Sequence, residues 1–155
     1  MLFKYTFVTL IATFFFISCS SDSSDNLNSE ENTSITQEIH ELINKYRVSK
    51  GKSQLIFSKD ASSIALKHTK YMINVKKISH DKFDDRFKEL QNLDNAIGAA
   101  ENVASHQKTA NQVVQNWINS NGHRKNIEGN YSHTGIGVEK NSSGNYYFTQ
   151  LFYSK

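Results

Sequence analysis

Hydrophobic positions follow three regimes along the chain. From Tyr5 to Ile17 the sequence is uncharged and mostly apolar. Ser20–Thr33 is rich in Ser, Asp, Asn and Glu and holds one large apolar residue, Leu27. Such a stretch cannot bury a core and is expected to be a disordered polar tether. Periodic sequence follows. Ile35, Ile39, Leu42, Ile43 and Tyr46 form one helical stripe. Ser34 with Gln37 three residues on predicts an N-terminal cap, and Gly51 an end. Leu55–Phe57 is a short apolar link, after which Ser58 is placed to cap a second helix. Its face carries Ala61, Ile64, Ala65, His68, Met72 and Val75.

Further on, Lys82–Leu90 predicts a short third helix with Phe83, Phe87 and Leu90 inward. Ile97–Ala104 is small and apolar and predicts a buried strand. Asn111–Asn119 predicts a helix with Val113, Val114 and Trp117 inward. Thr134–Glu139 and Tyr146–Tyr153 predict two strands, with a turn at Asn141–Gly144 between them. Helices come first and a hairpin last, with strands mainly antiparallel, so the expected class is α+β or a layered sandwich.

Composition narrows this picture. A chain of 155 residues, 37% hydrophobic and 21% charged, suits one packed domain. A net charge of +3 with no Lys/Arg block makes nucleic acid an unexpected partner. One cysteine excludes an internal disulfide, so core packing or a bound metal must hold the domain together.

That cysteine ends the first apolar run. Met1–Lys4 is a short basic start, and thirteen uncharged residues are too few to span a bilayer but match a signal peptide. Phe16-Ile17-Ser18-Cys19 resembles a bacterial lipobox, with Phe16 where Leu is usual. The expectation is cleavage before Cys19, acylation of its thiol and new amino group, and membrane attachment. Each buried CH₂ of an acyl chain contributes about 0.8 kcal/mol, and lasting attachment needs more than one chain. The expected layout is a signal peptide over 1–18, the acylated cysteine and tether over 19–33, and one domain over 34–155. The location is an outer membrane or cell surface.

Candidate chemistry comes from six histidines and one acid. His80 follows Ser79 just before the acidic stretch Asp81–Asp85. Glu101 lies among Gly98, Ala99, Ala100, Val103 and Ala104, where a charge needs a cation, a metal or a backbone donor. Arg124 is one candidate for that cation. His123 lies in Asn121-Gly122-His123-Arg124, where Gly122 permits an unusual turn. Two imidazoles and a carboxylate are the donor set of an open zinc site. The alternative is that each histidine is an ordinary surface or core residue and Glu101 a cap or ion-pair partner.

Taken in order, several segments resemble the CAP superfamily, the secreted SCP-like domain in its bacterial form. They are Ala65–Met72, Ser79-His80, Glu101-Asn102-Val103-Ala104, Trp117–Ile127, Tyr131, Gly135–Val138 and Tyr147–Phe152. The resemblance implies a three-layer α–β–α sandwich around a small, mainly antiparallel sheet. It also implies a large surface cleft with a His/Glu cluster, in which His80, Glu101 and His123 match. Animal members often carry a second Glu where this chain has Ser120. His68 matches a family motif yet sits on an apolar face, which reads as structural, and Trp117 and Met72 read as core. Asn102 is placed to hold Glu101, and Asp81, Asp84 and Asp85 read as a solvated helix start in preference to a calcium site.

Two functions follow as expectations. The first is a binding module whose cleft holds a divalent metal, zinc by its ligands, or a small lipid or cell-envelope ligand. The alternative is a zinc-dependent hydrolase of peptide or cell-wall substrates, with zinc on His80 and His123 and Glu101 as the base.

Overall fold

The computed structural model describes residues 23–155, with side chains from residue 28 onward. The expected signal peptide and Cys19 lie outside the described residues. In chain order the elements are α1 (Ser23–Ser49), β1 (Ile56–Phe57), α2 (Lys59–Asn74), α3 (Phe83–Asp94), β2 (Gly98–Ser105), α4 (Ala110–Asn119), α5 (Asn121–Ile127), β3 (His133–Lys140) and β4 (Tyr146–Ser154).

The strands form one sheet in the order β1-β3-β4-β2. β3 and β2 both pair antiparallel with β4, and β1 adds two parallel residues at one edge. Period-two alternation sends the side chains of β4 to opposite faces. Phe148 and Phe152 join α1 and α4 in one core, with Ile39, Ile43, Val113 and Trp117. Leu151 and Tyr153 join α2 and α3 in the other, with Ala61, Ile64 and Leu90. This is the three-layer α–β–α sandwich, mixed α and β around a small, mainly antiparallel sheet.

Local signals account for most boundaries. The Ser58 hydroxyl accepts from the Ala61 amide and starts α2, and Thr109 caps α4 through Gln112. Gly144 takes φ +77° in the hairpin turn, where the Asn141 side chain accepts from the amides of Ser143 and Asn145.

Three expectations need correction. α1 starts at Ser23, so Ser34 lies within it rather than capping it, and 23–33 continue the helix instead of forming an unstructured tether. Its polar residues find partners on the hairpin: Glu31 pairs with Lys140 at 2.6 Å and Asn32 donates to Glu139 at 3.2 Å. Residues 121–127 are helical, and Gly122 has no positive φ, because the Arg124 amide bonds back to the Ser120 carbonyl at 2.8 Å. Val75 is half exposed because α2 has ended by then.

Candidate functional site

Alternation along β2 decides what each of its side chains meets. Val103 faces the core of Met72 and Tyr147, whereas Ala104 faces the core of Trp117. Glu101, two residues before Val103, therefore points toward α2 and α3. It is 5% exposed, and a carboxylate that deep requires compensation. Arg86 of α3 supplies it with a two-pronged contact, Nε to Oε2 at 2.7 Å and an Nη to Oε1 at 2.8 Å. The cation is not Arg124, which donates instead to the Ile118 carbonyl at 2.8 Å.

His80 approaches the same carboxylate from the connection between α2 and α3. Its Nδ1 lies 2.8 Å from Glu101 Oε1. A carboxylate only accepts, so Nδ1 carries the proton, and in the neutral ring Nε2 is left as a lone-pair donor. Arg86 also holds this connection, donating to the Asp81 carbonyl at 2.7 Å. The His80 side chain is 56% exposed while that of Glu101 is 2% exposed. The ring thus reaches solvent from a buried, clamped base.

His68 is the structural histidine of the group. Its Nε2 donates to the Ser79 carbonyl at 2.7 Å, and its ring stacks on Tyr71 at 5.7 Å. It lies 3.9 Å from Glu101 and positions the residue before His80. Burial drives its pKa below the ordinary 6.5, against the Ser79 bond and the Glu101 charge. Trp117 is core, its indole donating to the Val103 carbonyl, and Met72 is fully buried.

His123 arrives from α5, which lies along the free edge of β2. Asn126 donates to the Glu101 carbonyl at 3.1 Å and to Asn102 Oδ1 at 2.9 Å. Asn102 in turn donates to the His123 carbonyl at 3.2 Å. Asn102 thus holds α5, while Asn126 bonds the Glu101 backbone. The His123 Nδ1 is buried with no hydrogen-bond partner among the described residues. Burial, and then the charge of nearby His80, lower its pKa, so the ring is neutral at pH 7.

The structure therefore brings His80, Glu101 and His123 into one neighbourhood but gives them unequal roles. Among the described residues no group of three or more His, Cys, Asp or Glu side chains is arranged to share a metal ion. Neutral imidazole nitrogens are, by type, donors for a transition metal. Glu101 does not fit as a third ligand, because its oxygens are engaged by Arg86 and His80. A cavity of about 200 Å³ beside the cluster is lined by His68, Tyr71, Asp81 and Arg86. Larger cavities of about 460, 430 and 650 Å³ lie elsewhere, and none of these three is lined by His80, Glu101 or His123.

Arg86 is the residue that sequence reasoning missed. Its signal was available: it shares the stripe of Phe83 and Leu90, where a charge has no reason to sit unless a partner waits below.

Comparison with known proteins agrees with this architecture. The model of the CAP family, described as the cysteine-rich secretory protein family, matches residues 40–152. Among sequence relatives, Bacillus subtilis YkwD is 47% identical over 58 residues, 37% of this chain and 21% of that protein. The Bacillus subtilis membrane protein YlbC is 28% identical over 130 residues, 77% of this chain and 34% of that protein. The chain thus spans 21% and 34% of the length of these two curated relatives. Among solved structures, an extracellular SCP-domain protein of Bacillus anthracis is similar with TM-score 0.76 and 26% identity, covering 88% of this chain and 45% of that one. An outer surface protein of Borrelia burgdorferi has TM-score 0.70 and 19% identity, covering 82% and 95%.

Proposed function

The chain belongs to the CAP family of cysteine-rich secretory proteins, and on that premise we propose that it is an exported, membrane-anchored binding domain whose ligand docks at His80 and His123. One observation carries this reading: a clamped carboxylate fixes the proton of an exposed imidazole beside a second imidazole whose buried nitrogen has no partner. Such a pair offers one exposed and one half-buried imidazole, each with a ring nitrogen that takes no partner among the described residues. A divalent transition metal, zinc above all, suits two neutral imidazoles, with the remaining positions open to donors of an incoming ligand. A small lipid or cell-envelope component could supply those donors.

Export accords with the names of the similar proteins, which include an extracellular protein, an outer surface protein and a membrane protein. Among the described residues no helix is long and apolar enough to cross a membrane. Attachment is assigned to Cys19, on the lipobox-like sequence that ends in it, at the outer membrane or cell surface.

The zinc-hydrolase alternative asks Glu101 to take a proton from water. Its oxygens already accept from Arg86 and His80, so its chemistry is to orient His80.

Zinc titration by calorimetry on the full-length chain in neutral detergent tests the proposal. About one equivalent should bind to the wild type and none to His80→Ala/His123→Ala. Glu101→Gln, which keeps the shape but loses the charge, should bind about 10- to 100-fold more weakly. Failure of the folded wild type to bind, or undiminished binding by the double variant, rejects the paired-imidazole site.

A further inference from the structure

The helix that delivers His123 also borders a second cavity. This one measures about 460 Å³ and is lined by Lys52, Arg124 and Lys125. Its volume falls within the range of about 300–1,000 Å³ typical of small-molecule sites. One carboxylate, Glu128, shares the lining, and it accepts a hydrogen bond from the Tyr46 hydroxyl at 2.7 Å. Burial and then Glu128 itself raise the Tyr46 pKa, so the phenol remains a donor.

Elsewhere on this surface, lysines near carboxylates pair with them. Lys67 with Glu89, Lys140 with Glu31 and Lys155 with Asp94 each close to 2.6 Å. Lys52 and Lys125, by contrast, make no ion pair or side-chain hydrogen bond among the described residues. Arg124 is pre-oriented, with one arm on the Ile118 carbonyl and another on Asn121.

The wall opposite is equally fixed. Arg47, 2% exposed, donates to the carbonyls of Ile127, Gly129 and Tyr131. A Cβ on Gly129 would meet the Tyr131 ring at 2.4 Å and the Asn126 carbonyl at 3.1 Å. Glycine there lets the ring lie against the backbone as one side of the cavity. A cavity held this way before ligand arrives loses little entropy on binding.

We propose that the cavity bounded by Lys52, Arg124 and Lys125 is a second binding site, for a phosphate-bearing ligand. Two ammonium point charges and one planar guanidinium around a cavity of this size suit a compact, multiply charged anion. A single carboxylate brings only one negative charge to the three cations.

The test is calorimetric titration of inorganic pyrophosphate into the full-length chain in neutral detergent at low ionic strength. Wild type should bind, more weakly as salt is added. Lys52→Ala/Lys125→Ala should lose about tenfold or more in affinity, and Lys125→Glu should lose as much from one position. Both positions are exposed, so unchanged circular dichroism is expected and separates lost binding from lost folding. The His80→Ala/His123→Ala variant should bind pyrophosphate as the wild type does, which keeps this site distinct from the imidazole pair. Absence of binding, equal binding by the lysine variants, or loss in the histidine variant overturns the proposal. A parallel titration of dioctanoyl phosphatidate identifies the source. Tighter binding than inorganic pyrophosphate, lost in the lysine variants, assigns a lipid headgroup; equal or weaker binding assigns a soluble phosphate.

Discussion

The two faces of the sheet are held by different means. On the α1–α4 face, bulk does the work: Trp117, Phe148, Phe152, Ile39 and Ile43 are each almost wholly buried. On the α2 face, backbones come close. A Cβ on Gly135 would meet Ala61 at 2.2 Å, and one on Gly137 would meet Leu66 at 2.4 Å. Thr69 of α2 bonds directly to the Gly137 carbonyl and to Thr149. A face held by bulk can repack around a change. A face held by close approach sets the height of α2, and α2 carries His68, which grips the residue before His80. The difference shows why the polar cluster sits where it does, on the side whose geometry is most narrowly fixed.

Changes on each face should separate stability from binding. Arg86→Ala and Trp117→Ala should each destabilise by about 3–5 kcal/mol, the first by leaving Glu101 buried and uncompensated, the second by opening a cavity. Denaturant unfolding measures both. Only the first should also weaken zinc binding, so equal affinity in the two variants would erase the contrast between faces. Gly137→Ala should cost about 1–3 kcal/mol, because the added methyl meets α2 backbone. It should reduce zinc affinity as well, since α2 must lift and take His68 with it. Wild-type affinity in that variant would show that α2 does not set the site.

The smallest effect expected is on pH. Burial holds His68, His123 and His133 below their ordinary 6.5. Their neutral forms are favoured in the folded state, while the unfolded chain binds protons near 6.5. Above that pH these groups leave stability unchanged, and below it stability falls until their lowered folded-state values are passed. Melting temperature measured from pH 8 to pH 5 should therefore be flat and then decline. A flat profile through pH 5 would mean the histidines are not held neutral.

Much of this was legible in the sequence, for reasons that differ by region. The stripe of Ala61, Ile64, Ala65, His68 and Met72, started by Ser58, marked α2 because periodicity and cap agreed. The closing hairpin was marked by alternation and by Asn141–Gly144. His80, Glu101 and His123 stood out as polar residues in unusual settings; the structure sets His80 against Glu101, with His123 near enough to feel the charge of His80. What escaped was tertiary. Arg86 and Glu101 lie on different elements, and nothing in local spacing pairs an arginine of α3 with an acid of β2. α5 escaped because Asn-Gly reads as a turn, while its helix is held by Asn102 and Asn126 at the sheet edge. The extension of α1 to Ser23 escaped because its polar residues look solvated until the hairpin is folded beside them.

α1 also acts as a mast. Its 27 residues rise about 40 Å from end to end. Near its first turns Glu31 is stayed to Lys140, and at its top Arg47 is lashed to the loop that walls the cationic cavity. α1 thus sets that cavity most of a helix length away from the first described residues of the chain.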